Sequence, residues 1–75
     1  MKAYETIIMD KAKAQDGRRI SLWQAECAIR AERGRMIHDR LATALRRLLA
    51  AGRLELEREG QNKAMVWYRV PAGRR

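Results

Sequence analysis

The longest regular pattern in the chain is a stripe of apolar residues between Arg35 and Ala51. Its members recur at intervals of three and four positions, which is typical of an α-helix with one face in the core. Gly52 follows the stripe and favours a left-handed cap at the helix end. We therefore expect a helix over residues 35–51. The stripe consists of Ile37, Leu41, Ala44, Leu45, Leu48 and Leu49.

A shorter helix is predicted at the start of the chain. The apolar residues between Lys2 and Ala14 have helical spacing, and Asp16-Gly17 is a typical stop signal. The residues that follow, Arg18–Ile20, are expected to form a short extended link.

Between these two helices, Ser21 and Gln24 have the spacing of a capping box, in which each side chain bonds the other residue's backbone N–H. The spacing predicts a second helix from Leu22 to about Ala31, with Gly34 in the turn that follows. Its expected inward-facing residues are Leu22, Ala25, Glu26, Cys27, Ala28 and Ile29.

The pattern changes after Gly52. Arg53–Glu57 alternates polar and apolar residues, as a half-buried strand does. A polar turn at Glu59–Lys63 precedes Ala64–Val70, which is rich in β-branched and aromatic residues and ends before Pro71. These segments predict a β-hairpin.

The elements together predict a small α+β fold with three helices followed by a C-terminal two-stranded hairpin. We expect one domain over residues 1–75, of which residues 71–75 form a short basic tail. In the second strand, alternation directs Tyr68 to the core and Trp67 to the other side. Trp67 is therefore a better candidate than Trp23 for an exposed contact.

The stretch from Ser21 to Val70 resembles the winged helix–turn–helix superfamily. The resemblance is carried by the run from Leu41 to Leu54, the acidic strand Glu55–Glu59 that follows, and the return strand Val66–Val70. In that superfamily a recognition helix leads directly into a two-stranded wing. The resemblance implies DNA binding, with the third helix in the major groove, and the size is similar to that of short regulators of bacterial operons.

The charge is strongly basic, with 17 Lys and Arg against nine Asp and Glu and a net charge of +8. Residues 33–53 hold six arginines and one aspartate, whereas residues 1–16 sum to zero. Clustered cations suit a polyanion, because binding releases counterions in proportion to the phosphates that are neutralised. The alternative is a generic basic surface.

The outward face of the third helix offers candidate DNA contacts. Arginine can bridge guanine O6 and N7, and threonine can contact a thymine methyl group or a phosphate. Arg46 and Arg47 have the alternative role of complementing the helix dipole, and Asp39 limits close phosphate approach. Ahead of the second helix, Ser21 is first of all a cap, although exposed helix amides also bind phosphate. The full candidate set is Arg18, Arg19, Ser21, Arg35, Met36, Arg40, Thr43, Arg46, Arg47 and Lys63.

The predicted hairpin carries acidic residues that argue against close contact with DNA. Glu55, Glu57 and Glu59 share one face of its first strand, and only Arg58 and Lys63 flank the turn. Whether the wing enters a DNA groove is left open.

The chain offers little for catalysis or for metal binding. Cys27 and His38 are its single cysteine and histidine, whereas a structural zinc needs about four ligands. We expect Cys27 to be a small core residue. For the protein as a whole we expect no enzyme activity, no cofactor, no metal and no small-molecule substrate. One cysteine fits a reducing cytoplasm, and neither a signal peptide nor a membrane span is expected.

The leading hypothesis is sequence-specific binding of duplex DNA by a small prokaryotic, phage or plasmid transcriptional regulator. Because one small module makes few base contacts, it would act as a homodimer or beside a partner protein. The alternatives are a protein-interaction module, acting as an adaptor or an inhibitor, and RNA binding by the same basic surface.

Overall fold

The computed structural model describes residues 2–72 and contains three helices and three strands. The described part therefore confirms the predicted small α+β class. Two short 3₁₀ turns, Asp16–Arg18 and Lys63–Met65, connect the elements. Within residues 2–72, no helix has both the length and the apolar content needed to cross a bilayer. In chain order the elements are α1 (Tyr4–Ala14), β1 (Arg19–Ser21), α2 (Leu22–Arg33), α3 (His38–Ala50), β2 (Glu55–Arg58) and β3 (Trp67–Arg69).

The strands form one antiparallel sheet in the order β1-β3-β2. The prediction of two strands was therefore wrong, because the link expected at Arg18–Ile20 is largely a strand. Ile20 and Leu56 both lie opposite Tyr68 on the central strand. Pairing with β3 satisfies the backbone of β1 and buries Ile20 completely. The partner strand lies almost 50 positions away in the sequence, so the local pattern gave no sign of this pairing.

The predicted helix-end signals at Ser21, Gly34 and Gly52 are confirmed. Ser21 caps α2 in a complete capping box with Gln24. Gly34 ends α2 in the left-handed region at φ 81°, and Gly52 adopts φ 74° just beyond α3. Glycine adopts these angles without the steric penalty that a Cβ atom brings.

The start of α3 was predicted three residues too early. Helix α3 begins at His38, so Arg35 and Met36 lie in the turn rather than on the helix. Ile37 has extended dihedral angles, and its backbone N–H donates to the Tyr4 hydroxyl at 3.0 Å. This bond holds the turn against α1 just before α3 begins.

One hydrophobic core joins all three helices to the sheet. Leu41, Ala44, Leu45 and Leu48 of the predicted stripe are buried, as is Tyr68. The remaining members of the core are Tyr4, Ile7, Ile8, Met9, Ala12, Ile20, Ala25, Ile29 and Leu54.

Three predicted core positions are exposed instead. Cys27 lies two residues from both Ala25 and Ile29, so it is about 200° around the helix from the buried face. Ile37 is 37% exposed in the turn before α3. Leu56 is 45% exposed, because β2 is an edge strand and all four of its residues face solvent. The prediction of a strand here is confirmed, but the expected burial of one of its faces was wrong; the buried leucine is Leu54, just ahead of the strand.

Candidate nucleic-acid interface

Arg40, Thr43 and Arg47 share one side of α3, as the sequence predicts, and line a groove between α3 and the start of α1. Arg40 and Arg47 are exposed, and Thr43 is half-buried. Arg46 emerges beside them, and its Nη2 donates to Thr43 Oγ1 at 3.4 Å. The structure thus brings these four predicted side chains onto one exposed surface, which we call the α3 face.

The arginines of the α3 face are weakly held. Arg47 Nη1 lies 3.5 Å from Glu5 Oε2, and the Arg47 side chain is 72% exposed. An exposed pair of this kind contributes only about 0–1 kcal/mol. Arg40 and Arg46 form no ion pair with any residue between 2 and 72. These guanidinium groups are therefore available to an incoming anion at little cost.

Arg33 lies in the same groove and was not among the predicted contacts. Its Nη1 donates to the Lys2 carbonyl at 3.1 Å, and its guanidinium carbon lies 5.3 Å from the centroid of the Tyr4 ring. The sequence signal was present, because Arg33 opens the arginine-rich segment. Its position at the end of α2, outside the third helix, concealed it.

A short turn connects α2 to α3. Helix α2 ends at Arg33 and α3 begins at His38, so four residues join them. A turn of three or four residues that contains glycine is typical of helix–turn–helix units. Asp39 lies in the first turn of α3, where a carboxylate complements the helix dipole. On its other side, α3 packs buried residues into the core, so the α3 face projects outward.

Two arginines of the sheet, Arg19 and Arg69, are in a different state, because carboxylates hold them. Arg19 Nε lies 2.7 Å from Glu57 Oε1, and Arg69 Nη2 lies 2.7 Å from Glu55 Oε1. The hydrogen bond from Arg69 to Glu55 raises the pKa of this arginine further above its usual value. Two of the three predicted acidic residues of the hairpin are thus neutralised within the sheet.

Arg19 also covers Trp67, with its guanidinium carbon 4.5 Å from the ring centroid. Trp67 is half-buried as a result, whereas Trp23 is 52% exposed on α2. The prediction that Trp67 is the more exposed tryptophan was wrong. The physical reason is that Arg19 stacks on the Trp67 ring, a contact between distant residues that a local sequence pattern does not predict.

Lys63 was predicted at the hairpin turn, but its charge is directed to α2. Its Nζ lies 2.8 Å from Oε2 of Glu26, which is only 2% exposed. Arg30 Nη1 lies 3.6 Å from the other carboxylate oxygen. A buried carboxylate needs such partners, because burying an unpaired charge costs several kcal/mol. Lys63 therefore anchors the hairpin turn to α2.

The remaining predicted contacts lie apart from the α3 face or are covered. Ser21 is buried, and its hydroxyl accepts from the Gln24 N–H at 3.0 Å, so it acts as a cap that phosphate does not reach. Met36 is half-buried against the core. Arg35 is exposed in the turn beside α3, whereas Arg18 lies next to Arg53 in a different groove. The Arg74 and Arg75 end of the predicted tail lies outside the described residues.

Within residues 2–72, no three His, Cys, Asp or Glu side chains are grouped closely enough to hold a metal ion. In comparisons with known proteins, no family model matches the chain, and no curated protein or solved structure shows significant similarity to it.

Proposed function

We propose that this chain is a winged helix–turn–helix domain that binds duplex DNA sequence-specifically through the α3 face. The observation that carries the proposal is the group of exposed arginines, Arg40, Arg46 and Arg47, around Thr43 on α3, with Arg33 in the same groove. Free guanidinium groups on one surface are what counterion release from a polyanion requires.

The element order supports the winged helix part of the proposal. A helix and a strand precede the α2–α3 pair, and the hairpin β2–β3 follows α3 after a short connection. This order is compatible with the winged helix–turn–helix arrangement, in which β1 adds a third strand to the sheet. The four-residue turn between α2 and α3 agrees with it as well.

The α3 face suits the major groove in both size and chemistry. A helix with its side chains is about 10–12 Å wide, and the major groove is about 12 Å wide. Arg40 and Thr43 then face base edges, whereas Arg33, Arg46 and Arg47 face phosphates on the two sides. Because Arg19 and Arg69 neutralise two hairpin carboxylates, the hairpin repels the phosphate backbone less than its sequence suggests.

The proposed biological role is that of a small prokaryotic, phage or plasmid transcriptional regulator. One module of 75 residues makes few base contacts, so specific affinity requires a second half-site. A second copy of the chain or a partner protein would supply it.

Selection of binding sites from a pool of random duplexes, followed by a salt titration on the selected site, tests the proposal. We expect an enriched sequence motif and an affinity that falls as salt rises. Arg40→Ala should weaken the preference at particular base positions, with Lys11→Ala on α1 as the exposed control. Failure of the parent to bind any duplex in a salt-dependent way would refute the proposal.

A protein-interaction module is the second candidate, and the exposed apolar residues of the hairpin favour it. Leu56 and Met65 are 45% and 46% exposed. Binding of a partner that docks there should be weakened by Leu56→Ala and unaffected by substitution of the α3 arginines. DNA binding through α3 should instead be weakened by Arg40→Ala and unaffected by Leu56→Ala, so these two variants distinguish the candidates.

A further inference from the structure

A second basic surface lies at the base of the hairpin, away from its turn. A groove there is lined by four basic residues: Lys13 at the end of α1, Arg18 in the 3₁₀ turn, Arg53 just beyond α3 and Arg69 of β3. We call it the basal groove. Val70 and Pro71 form an apolar part of its wall.

Cations dominate the basal groove. The single acidic residue among its lining residues is Glu55, which is already bonded to Arg69. Lys13, Arg18 and Arg53 are exposed and form no ion pair with the residues between 2 and 72. Three positive charges therefore surround one groove, and no ion pair with residues 2–72 neutralises them.

The two arginines rise from fixed backbone positions. Arg18 adopts φ 54°, and its carbonyl accepts the Val70 N–H at 2.9 Å while its own N–H donates to Gln15 at 3.0 Å. The Arg53 N–H donates to the Leu48 carbonyl at 2.9 Å. Because both backbones are held, little entropy is lost in presenting these guanidinium groups to an anion.

The basal groove and the groove along the α3 face share no lining residue. The groove includes Gly52 and Arg53 just beyond the helix, whereas Arg40 lies in its first turn. A helix of 13 residues is about 20 Å long. Phosphates that contact Arg40 and Thr43 therefore do not fill the basal groove, whereas Arg47, in the last turn of α3, lies nearer to it.

We propose that the basal groove binds the phosphate backbone of a second duplex segment, so that one chain joins two segments of DNA. The proposal rests on the proposed function, because the α3 face must hold the first segment. Its added content is the second contact, made by Lys13, Arg18 and Arg53.

The test combines two assays on the full chain. A titration with one fluorescent duplex measures binding through the α3 face. In the bridging assay, substoichiometric protein is mixed with a biotinylated duplex on beads and a free fluorescent duplex. The fluorescence retained on the beads measures how much of the free duplex is joined to the bead-bound one. The central variant is Arg18→Asn/Arg53→Gln, in which asparagine tolerates the left-handed backbone at position 18.

Two control variants accompany it. Arg18→Lys/Arg53→Lys keeps both charges, and Lys2→Ala/Lys11→Ala removes the same amount of charge from α1 and from the residues just before it. We expect the parent and both controls to retain the fluorescent duplex. The central variant should bind a single duplex with an unchanged salt dependence, but its retention should fall to the level of beads without protein.

The possible results separate the two proposals. Single-duplex binding by the parent without bridging would overturn the basal-groove proposal and leave the proposed function intact. Equal bridging by the central variant would show that self-association joins the duplexes, which also overturns it. No single-duplex binding by the parent would remove the proposed function and, with it, this inference.

Discussion

The arginines of α3 and those of the sheet differ in what holds them. On α3, Arg47 makes one long, exposed contact to Glu5, and the Thr43 hydroxyl is the one side-chain partner of Arg46 among residues 2–72. On the sheet, Arg19 and Arg69 each lie 2.7 Å from a glutamate. Among residues 2–72, Arg40 and Arg46 thus have no carboxylate partner, whereas Arg19 and Arg69 each have a close one.

The difference shows that net charge alone does not locate a binding surface. A guanidinium that already bonds a carboxylate releases few counterions when a phosphate approaches, because its charge is already compensated. The α3 face combines its arginines with two acidic residues, Asp39 and Glu5, of which Glu5 makes one long contact to Arg47, whereas the sheet pairs Arg19 and Arg69 closely with glutamates. The first arrangement suits an external anion, and the second fastens strands to one another.

The largest expected contrast between the two regions concerns stability. Leu48 on α3 is 2% exposed, so Leu48→Ala should cost about 2–5 kcal/mol. Leu56 on β2 is 45% exposed, and Leu56→Ala should stay within about 0.5 kcal/mol. Denaturant midpoints of both variants check this. A similar midpoint for the two would mean that the α3 stripe does not support the fold.

The next contrast concerns recognition of the DNA sequence. Arg40→Ala should lower affinity for the selected site by about 1–3 kcal/mol while changing affinity for unrelated duplexes less, because a base contact is lost. Arg69→Gln should leave that preference unchanged, because its charge serves Glu55. Equilibrium titrations against matched and mismatched duplexes measure both effects. Equal losses on every duplex after Arg40→Ala would reduce Arg40 to a phosphate contact.

A smaller effect is expected from the hairpin carboxylates. Glu55→Gln/Glu57→Gln releases Arg19 and Arg69 from their partners and removes two negative charges. Affinity for duplex DNA should stay level or rise, and a rise should be greatest at low salt. Binding assays at two salt concentrations decide this. A loss of duplex affinity, with the fold intact by circular dichroism, would instead assign the carboxylates to a partner-binding surface.

The smallest effect concerns the inner side of the sheet at high pH. Burial, followed by the negative charge of Glu59, raises the pKa of Tyr68 above its usual value of about 10. The folded state therefore retains this proton more strongly than the unfolded chain. The resulting stabilisation is complete below about pH 10 and is lost as pH rises through the higher folded pKa. Unfolding experiments between pH 9 and 11 should show a shallower decline for Tyr68→Phe, and parallel declines would contradict this.

Much of the fold is local, and the sequence predicts those parts. The capping box at Ser21, the glycines at positions 34 and 52 and the stripe of α3 each depend on neighbours within a few positions. The same holds for the grouping of Arg40, Thr43 and Arg47, because helical periodicity alone places them together.

The rest depends on contacts between distant parts of the chain. The pairing of β1 with β3, the ion pair between Arg19 and Glu57, and the ion pair between Lys63 and Glu26 each join residues more than 30 positions apart. Periodicity says which face of an element is apolar but not which element covers it. For this reason the sequence placed Lys63 among the DNA contacts, whereas the fold uses it to anchor the hairpin turn.

The salt dependence of duplex binding tests the central claim most directly. The slope of log affinity against log salt should be measured for the parent, for Arg46→Gln/Arg47→Gln and for Arg19→Gln/Arg69→Gln. If the α3 arginines contact phosphates, Arg46→Gln/Arg47→Gln should make the slope shallower by about two, since each phosphate contact contributes about 0.9 to its magnitude. The sheet variant should leave the slope unchanged. Equal slopes for the parent and the α3 variant, or a loss confined to the sheet variant, would contradict the account.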